Sequence, residues 1–263
     1  MRIFLSIIVT FIIFTGLSIY YFNLPEPVAT TPPPLTPAEL DKLPTDRKGQ
    51  VLIYGAYGYT GAGISQLAAD YGIRPVLAGR NESKLKPLAD ALGYDYIVLS
   101  LESNHDNLVT VLKHFEIVLH IAGPYTYTSK PMIDAAVITG THYLDLTGEI
   151  HVIQAQLDRD EEFKQAGIMV MPSVGYDVVP TDCLNLYVAN QIENPTKLTV
   201  LMNGNYNTVE GAGASRGTAK SGVEILSRPL LSRENGKMVQ ISQPKMIKRI
   251  ENGREQTLIQ IPW

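Results

Sequence analysis

From Val51 onward, short apolar runs alternate with helical patterns, and this alternation limits the fold more than any other feature of the sequence. Runs such as VLIYGA, RPVLAGR and FEIVLHIAGP are mostly apolar at consecutive positions, which is typical of strands buried on both faces. Helical patterns lie between them, for example over residues 60–71, and parallel strands need such crossovers. The sequence therefore predicts an α/β fold, in which helices cover both faces of a parallel sheet.

The first junction between strand and helix, GAYGYTG, carries three glycines with the spacing G-x-x-G-x-x-G. Tyr57 stands where the commonest dinucleotide fingerprint, G-x-G-x-x-G, has its second glycine. A tight turn followed by a helix that starts near Thr60 still lets backbone N–H groups approach a pyrophosphate. We therefore predict a Rossmann-type dinucleotide site. Its predicted phosphate-side residues are Gly55, Tyr57, Gly58, Tyr59, Thr60 and Gly61.

The end of the second predicted strand, AGRNESK, distinguishes between the two nicotinamide cofactors. Proteins that bind NAD usually carry an acidic residue there for the ribose 2′-hydroxyl. Here Arg80 ends the strand, Asn81 and Lys84 follow, and Glu82 lies one step into the helix. A guanidinium can bind a phosphate through two hydrogen bonds, so we predict NADP(H) with Arg80, Asn81 and Lys84 at its 2′-phosphate. The alternative is that Arg80 is an ordinary exposed cation.

The N-terminal segment from Ile3 to Phe22 contains no charged residue. As a helix at about 1.5 Å per residue it spans roughly 30 Å, enough to cross a bilayer. We predict a membrane anchor, with a cleaved signal peptide as the alternative. Residues 23–49 are rich in proline and read as a linker, in which Thr36 caps one helical turn.

After Pro195 the sequence pattern changes to one typical of antiparallel strands, and Asn252-Gly253 is a typical hairpin turn. This part reads as the start of an α+β second domain that is truncated after a strand at Trp263. The predicted division is 1–22 membrane anchor, 23–49 linker, 50–195 NADP-binding Rossmann domain and 196–263 start of a substrate or dimerisation domain.

Five motifs occur in the order GAYGYTG, LAGRNESKL, AGPY, GTHYLDLTGE and PSVGYDVVPTD. In this order they resemble the saccharopine dehydrogenase-like oxidoreductases, a family that includes trans-acting enoyl reductases. The resemblance covers roughly residues 51–191, and GASRGTAKSGVE extends it to Glu224. Two departures are the tyrosine at position 57, where the family more often has threonine, and a chain shorter than the family's usual length.

The resemblance implies an NADP-binding domain followed by a mixed-sheet domain that covers the nicotinamide. It places the turn after the fourth strand beside the nicotinamide, and the substrate at the same sheet edge. The residues implied at the nicotinamide are Ala122, Gly123 and Pro124, and those facing the substrate are Tyr125, Tyr176 and Asp177.

The catalytic acid is not evident from the sequence. The Tyr-x-x-x-Lys pair of short-chain dehydrogenases, a metal-binding spacing among the five histidines and a Gly-x-Ser-x-Gly elbow do not occur. We expect His142 and Asp145 to make orienting hydrogen bonds, and Glu149 to close a loop onto a helix N-terminus. Cys183, the single cysteine, excludes an internal disulfide and is predicted to be buried in a helix.

The function that these observations favour is an NADP(H)-dependent oxidoreductase acting on a small or lipid-like substrate. The alternative is a membrane-tethered protein that binds the cofactor without catalysis, as a sensor, scaffold or remnant. A net charge of −4 gives no support to nucleic-acid binding. Arg2 precedes the anchor, and the positive-inside rule then places the following domain outside the cytoplasm. NADP(H) is abundant in the cytosol, however, so we expect the domain on the cytoplasmic side. A homodimer is a further option.

Overall fold

The computed structural model describes most of the segment from residue 35 to residue 194 and several short segments after it. The described residues are 35–41, 43–101, 105–175, 178–194, 220–221, 229–234, 237–241, 246–251 and 254–259. The predicted membrane anchor lies outside these residues, and so does KLTVLMNGNY, the first of the strand patterns predicted after Pro195. Within them, no helix combines the length and the apolar character needed to cross a membrane.

A six-stranded sheet with the order β3-β2-β1-β4-β5-β6 forms the centre of the fold, and every neighbouring pair in it is parallel. The strands are β1 Val51–Tyr54, β2 Val76–Gly79, β3 Tyr96–Val98, β4 Ile117–His120, β5 His142–Asp145 and β6 Val170–Met171. The order reverses between β1 and β4, which is the topological switch point where open α/β sheets bind ligands. The predicted α/β fold is confirmed.

Helices connect the strands. They are α1 Pro37–Leu40, α2 Tyr59–Asp70, α3 Glu82–Leu92, α4 His105–Leu112, α5 Tyr125–Thr139, α6 Ile150–Leu157, α7 Asp160–Ala166 and α8 Val179–Asn190. The pattern over residues 152–167 predicted one helix, but Asp158 and Arg159 separate two. The pattern KPMIDAAVITG predicts a helix from Lys130, but helix α5 starts earlier, at Tyr125, and includes Pro131 within it.

The core lies on both faces of the sheet, because successive strand residues point to opposite sides. Leu52 packs in the larger cluster with Phe115 and Tyr143, whereas Ile53 packs in the smaller one with Leu85. Full burial of one such side chain contributes about 1.5–3 kcal/mol relative to exposure. Burial on both faces is the reason that the strands read as continuous apolar runs.

The folded domain begins before residue 50, where we placed its boundary. Leu43 is 6% exposed and belongs to the larger core cluster. The Arg47 guanidinium donates hydrogen bonds of 2.8 and 2.7 Å to the carbonyl oxygens of Thr139 and Gly140, at the C-terminus of α5. The last part of the predicted linker is therefore part of the domain.

The described residues after 178 include one helix and two hairpins. Cys183 is exposed on α8, so the prediction that it is buried is wrong. The strands β7 Leu230–Glu234 and β8 Lys237–Ile241 pair antiparallel, as do β9 Met246–Glu251 and β10 Arg254–Ile259. Glu251 pairs with Arg254, which confirms the predicted hairpin, although its two turn residues lie outside the described part. The sequence LLSRE of β7 was not predicted as a strand.

Candidate functional site

Two loops meet at the switch point, one after β1 and one after β4. Gly55 follows β1 with a φ of +87°, a region that favours glycine. A Cβ at Gly55 would lie 2.7 Å from the carbonyl oxygen of Ile121, which follows β4. Both the backbone angle and the space therefore require glycine at this position.

Gly61 allows helix α2 to pack directly onto this turn. A Cβ at Gly61 would lie only 2.3 Å from the carbonyl oxygen of Gly55. Gly58 is the N-cap residue of α2, and its carbonyl oxygen accepts a 2.8 Å hydrogen bond from the N–H of Ala62. The first-turn N–H groups before Ala62 have no acceptor within the helix, which suits a phosphate. The cradle therefore fits the pyrophosphate of a dinucleotide.

The three remaining predicted residues of the turn differ in exposure. Tyr59 and Thr60 are exposed, and Tyr59 is 83% exposed. Tyr57 is half-buried, and its ring lies on Gly79 at the end of β2, where a Cβ would come within 2.5 Å of the Tyr57 Cε1 atom. A large side chain therefore fits at the position of the fingerprint's second glycine because the neighbouring strand ends in glycine.

The predicted 2′-phosphate residues lie together at the carboxyl end of β2, next to the glycine turn. Arg80 is exposed directly after the strand, and Lys84 is exposed in the first turn of α3. Asn81 occupies the N-cap position of α3, but its side chain accepts no hydrogen bond from a backbone N–H of the helix; it accepts one of 2.7 Å from the Ser83 hydroxyl. Their position agrees with the prediction, and their role toward a phosphate stays a prediction.

The turn Ala122-Gly123-Pro124 follows β4, as predicted, and contains a cis peptide bond before Pro124. Tyr125 begins α5 but does not face a ligand. It is 7% exposed, and its hydroxyl donates a 3.2 Å hydrogen bond to the carbonyl oxygen of His120. Burial raises the pKa of Tyr125. The prediction that Tyr125 faces the substrate is therefore wrong, because helix α5 directs its ring into the core.

The other two predicted substrate-facing residues, Tyr176 and Asp177, lie outside the described residues.

Glu149 caps helix α5 from a distant loop. Its carboxylate, 1% exposed, accepts hydrogen bonds of 2.8 Å from the backbone N–H groups of Tyr125 and Thr126. It also accepts a 3.0 Å hydrogen bond from the Ser221 hydroxyl. An anion at a helix N-terminus is stabilised by the exposed N–H groups and the helix dipole. The expectation that Glu149 closes a loop onto a helix N-terminus is confirmed.

Asp145, at the end of β5, is a fully buried acceptor for four donors. Its carboxylate bonds the Tyr143 hydroxyl at 2.8 Å and the Gln156 amide at 2.9 Å. It also bonds the backbone N–H groups of Thr147 at 2.9 Å and Ser173 at 3.0 Å. Asp145 therefore ties the ends of β5 and β6 to helix α6, which is the orienting role we expected.

His142 has the orienting role expected of it. Its Nδ1 atom accepts a 3.0 Å hydrogen bond from the N–H of Met169, which fixes the start of β6 against β5.

His120, the last residue of β4, joins the same network. Tyr143 donates its single proton to Asp145, so His120 Nδ1 is the donor in its 3.0 Å hydrogen bond to the Tyr143 oxygen. Burial lowers the pKa of His120 to about 3, so its ring is neutral at neutral pH. Among the described residues, none bonds the buried Nε2 atom.

Our sequence reasoning missed His120, Tyr143 and Gln156 as parts of this network. A signal was present for His120, because it is a polar residue at the end of the otherwise apolar strand β4. The sequence could not identify the hydrogen-bond partner of His120, because Tyr143 is 23 residues away along the chain.

The sheet order, the glycine cradle at the switch point and the helix N-terminus beside it define a Rossmann-type dinucleotide-binding domain. Residues 51–171 match the family model described as the saccharopine dehydrogenase NADP binding domain. This part of the chain is therefore similar to the NADP binding domain of the saccharopine dehydrogenase family, and the predicted cofactor, NADP(H), is confirmed.

Curated relatives carry the name trans-acting enoyl reductase. That of Mycobacterium bovis is 30% identical over 151 residues, which cover 55% of this chain and 36% of the relative. A Mycobacterium tuberculosis protein, also named for trans-acting enoyl reductase activity, is 29% identical over 212 residues, covering 77% of this chain and 50% of its own length. The chain thus spans about a third to a half of the curated relatives that it matches.

Solved structures are similar over part of the chain. Saccharopine dehydrogenase (L-Glu forming) from Saccharomyces cerevisiae matches with a TM-score of 0.43 and 24% identity, over 54% of this chain and 30% of that one. A UDP-glucose 4-epimerase from Brucella ovis, in complex with NAD, matches with a TM-score of 0.39 and 16% identity, over 47% and 50% of the two chains.

Proposed function

We propose that this chain is an NADP(H)-dependent oxidoreductase that transfers hydride to or from a small or lipid-like substrate. The observation that carries the proposal is the glycine cradle of Gly55 and Gly61 at the switch point, with Arg80 at the end of the adjacent strand. The enoyl reductase name of the curated relatives supports reduction chemistry. An enoyl group is an acyl group with a carbon–carbon double bond, so an activated double bond is the hydride acceptor that this name favours.

In this proposal each region of the crevice has a separate task. The N-terminus of α2 holds the pyrophosphate, and Arg80, Asn81 and Lys84 hold the 2′-phosphate. The turn from Ala122 to Pro124 lies beside the nicotinamide. Bound NADP(H) supplies the hydride or accepts it. The residues of this chain bind and orient the cofactor.

We assign no catalytic acid among the described residues. His120 is buried and neutral, and Tyr125 commits its hydroxyl proton to a backbone carbonyl. Both side chains therefore have structural roles in the core behind the turn after β4. A proton donor would come from the substrate side of the crevice or from water.

Cofactor selection is tested by fluorescence titration of the protein with NADPH and, separately, with NADH. We expect Arg80→Ala to weaken NADPH binding about tenfold or more, since a hydrogen bond to a charged group contributes about 1.5–3 kcal/mol. NADH affinity should stay nearly unchanged. Arg74→Ala is the matched control, because Arg74 is exposed at the opposite end of the same strand, where it bonds the Gly93 carbonyl. Equal losses for both cofactors would mean that Arg80 only supports the fold.

The lipid-like character of the substrate and the membrane anchor rest on the uncharged segment from Ile3 to Phe22. We propose that this segment holds the domain at the membrane, on its cytoplasmic side. Fractionation of cells expressing the full chain tests the attachment, and a C-terminal reporter tests the side. Recovery of the full chain in the soluble fraction would argue against an anchor.

Turnover separates this proposal from its alternative, a tethered protein that binds the cofactor without catalysis. Consumption of NADPH with a panel of alkenes and ketones, including acyl-chain substrates, would support the oxidoreductase. Tight NADPH binding without turnover across the panel would support a sensor or scaffold. Absence of binding would refute both, since each requires the cofactor.

A further inference from the structure

Ser221 is brought to the crevice from a segment far along the chain. Its Oγ atom lies 3.4 Å from the position that a Cβ of Gly123 would take. Gly123 lies in the turn after β4, three residues past the end of the strand at the switch point, and is exposed. The Ser221 hydroxyl therefore lies over the turn that forms the nicotinamide end of the proposed site.

The orientation of this hydroxyl is set by Glu149. Ser221 Oγ donates a 3.0 Å hydrogen bond to Glu149 Oε1. The same carboxylate is held by the backbone N–H groups of Tyr125 and Thr126 and by the Thr126 hydroxyl. Because these donors belong to the first turn of α5, Glu149 cannot turn away without breaking a helix cap.

A carboxylate only accepts hydrogen bonds, so the Ser221 proton is committed to Glu149. The lone pairs of Ser221 Oγ then remain as acceptors beside Gly123. The carboxamide of a nicotinamide carries two N–H donors, and a hydroxyl oxygen with free lone pairs can accept a hydrogen bond from one of them. A hydroxyl that is held in this way costs little entropy when it binds a ligand.

We propose that Ser221 binds the nicotinamide carboxamide, with its Oγ atom accepting a hydrogen bond from the amide N–H. The inference rests on the proposed function, because it assumes that NADP(H) occupies the switch-point crevice. It adds a residue that our sequence reasoning did not single out. Glu149 is the positioning residue for Ser221.

The experiment compares NADP⁺ with its acetylpyridine analogue, in which a methyl group replaces the amide nitrogen and removes both donors. Affinities of the wild type and Ser221→Ala are measured for both ligands by calorimetry. We expect the wild type to prefer NADP⁺ about three- to tenfold, the range for one neutral hydrogen bond. Ser221→Ala should lose that preference, and Ser221→Thr, which retains a hydroxyl, should keep most of it.

Two controls separate the hydrogen bond from other effects. Adenosine 2′,5′-bisphosphate lacks the nicotinamide and should bind the wild type and Ser221→Ala equally. Ser129→Ala is the matched variant, because the Ser129 hydroxyl bonds the Tyr125 carbonyl within the same helix that Glu149 caps. It should keep the preference for NADP⁺.

The possible failures are distinct. A wild type that binds NADP⁺ and its analogue equally would overturn the role of Ser221 while leaving the proposed function intact. A Ser221→Ala variant that loses affinity for both ligands by the same factor would also overturn it, because Ser221 would then only close the crevice. A wild type that binds neither NADP⁺ nor the bisphosphate would refute the proposed function itself.

Discussion

The two ends of the switch-point crevice are built in different ways. The end formed by the loop after β1 depends on the backbone and on missing side chains, since Gly55 and Gly61 leave no room for a Cβ. The end formed by the loops after β4 and β5 depends on buried polar side chains. There, Glu149 and Ser221 meet across 72 residues of sequence.

The difference sets how each end responds to change. A glycine cradle tolerates many substitutions around it, provided that the glycines remain. Removing one partner from a buried polar network is costly, because each buried group left unsatisfied costs about 1–3 kcal/mol. Loss of one acceptor at the β5 end should therefore affect folding, whereas a change at the β1 end should affect folding and phosphate binding together.

The largest expected effect is that of Asp145→Ala. The substitution leaves four donors without their acceptor, among them the Tyr143 hydroxyl and the Gln156 amide. At about 1–3 kcal/mol each, the free energy of unfolding should fall by about 4 kcal/mol or more. Urea unfolding of the wild type and the variant measures this difference in the free energy of unfolding. Asp90→Ala is the control, because Asp90 forms an exposed ion pair with Lys86 and such pairs contribute little to stability. Similar losses in both variants would contradict the account of the network.

Gly61→Ala tests the other end of the crevice. The added Cβ would lie 2.3 Å from the Gly55 carbonyl oxygen, so α2 must shift away from the turn. We expect a loss of about 2–3 kcal/mol in stability and a clear loss of NADPH affinity.

The control for Gly61 lies two residues further along the same helix. A Cβ at Gly63 would meet no atom within 4 Å. Gly63→Ala should therefore be neutral or stabilising by up to about 1 kcal/mol, since alanine favours helices. If both variants bound NADPH as the wild type does, close packing of α2 on the turn would not matter for the cofactor.

Acid should lower the free energy of unfolding through His120, which lies at the β4 end of the crevice. Its pKa is lowered by burial from 6.5 to about 3, so the unfolded chain binds a proton that the folded chain does not. His120 therefore leaves the free energy of unfolding unchanged above pH 6.5 and lowers it as the pH falls toward 3. The loss is about 1.4 kcal/mol per pH unit, or about 2 kcal/mol at pH 5.

Comparison with His120→Gln isolates this effect, because the remaining histidines titrate in both proteins. The wild type should lose about 2 kcal/mol more than the variant between pH 7 and pH 5, as measured by urea unfolding at each pH. Parallel pH dependences would mean that the His120 ring can be protonated within the fold.

Local patterns predicted the fold and the β1 end of the site well. Apolar runs gave the strands, and the glycine spacing with the following helix gave the cradle, because both depend on neighbours in sequence. The β5 end could not be predicted in this way. Which donors meet Asp145, and that Tyr125 points into the core, depend on loops that converge only after the sheet has formed.

The N-terminal boundary of the domain also depends on contacts between residues distant in sequence, so local patterns could not predict it. Its test has the smallest expected effect. Arg47 lies in a stretch whose composition indicates a linker, yet its guanidinium bonds two carbonyl oxygens at the end of α5, where a cation also suits the helix dipole. We expect Arg47→Ala to lower the free energy of unfolding by about 1–2 kcal/mol, and Arg47→Lys to recover part of it. Lys48→Ala is the neighbouring control, since Lys48 is exposed. If Arg47→Ala behaved like Lys48→Ala, the Arg47 hydrogen bonds would not stabilise the domain, and the packing of Leu43 alone would join this stretch to it. If it does not, a fragment that starts at residue 50 lacks part of its own fold.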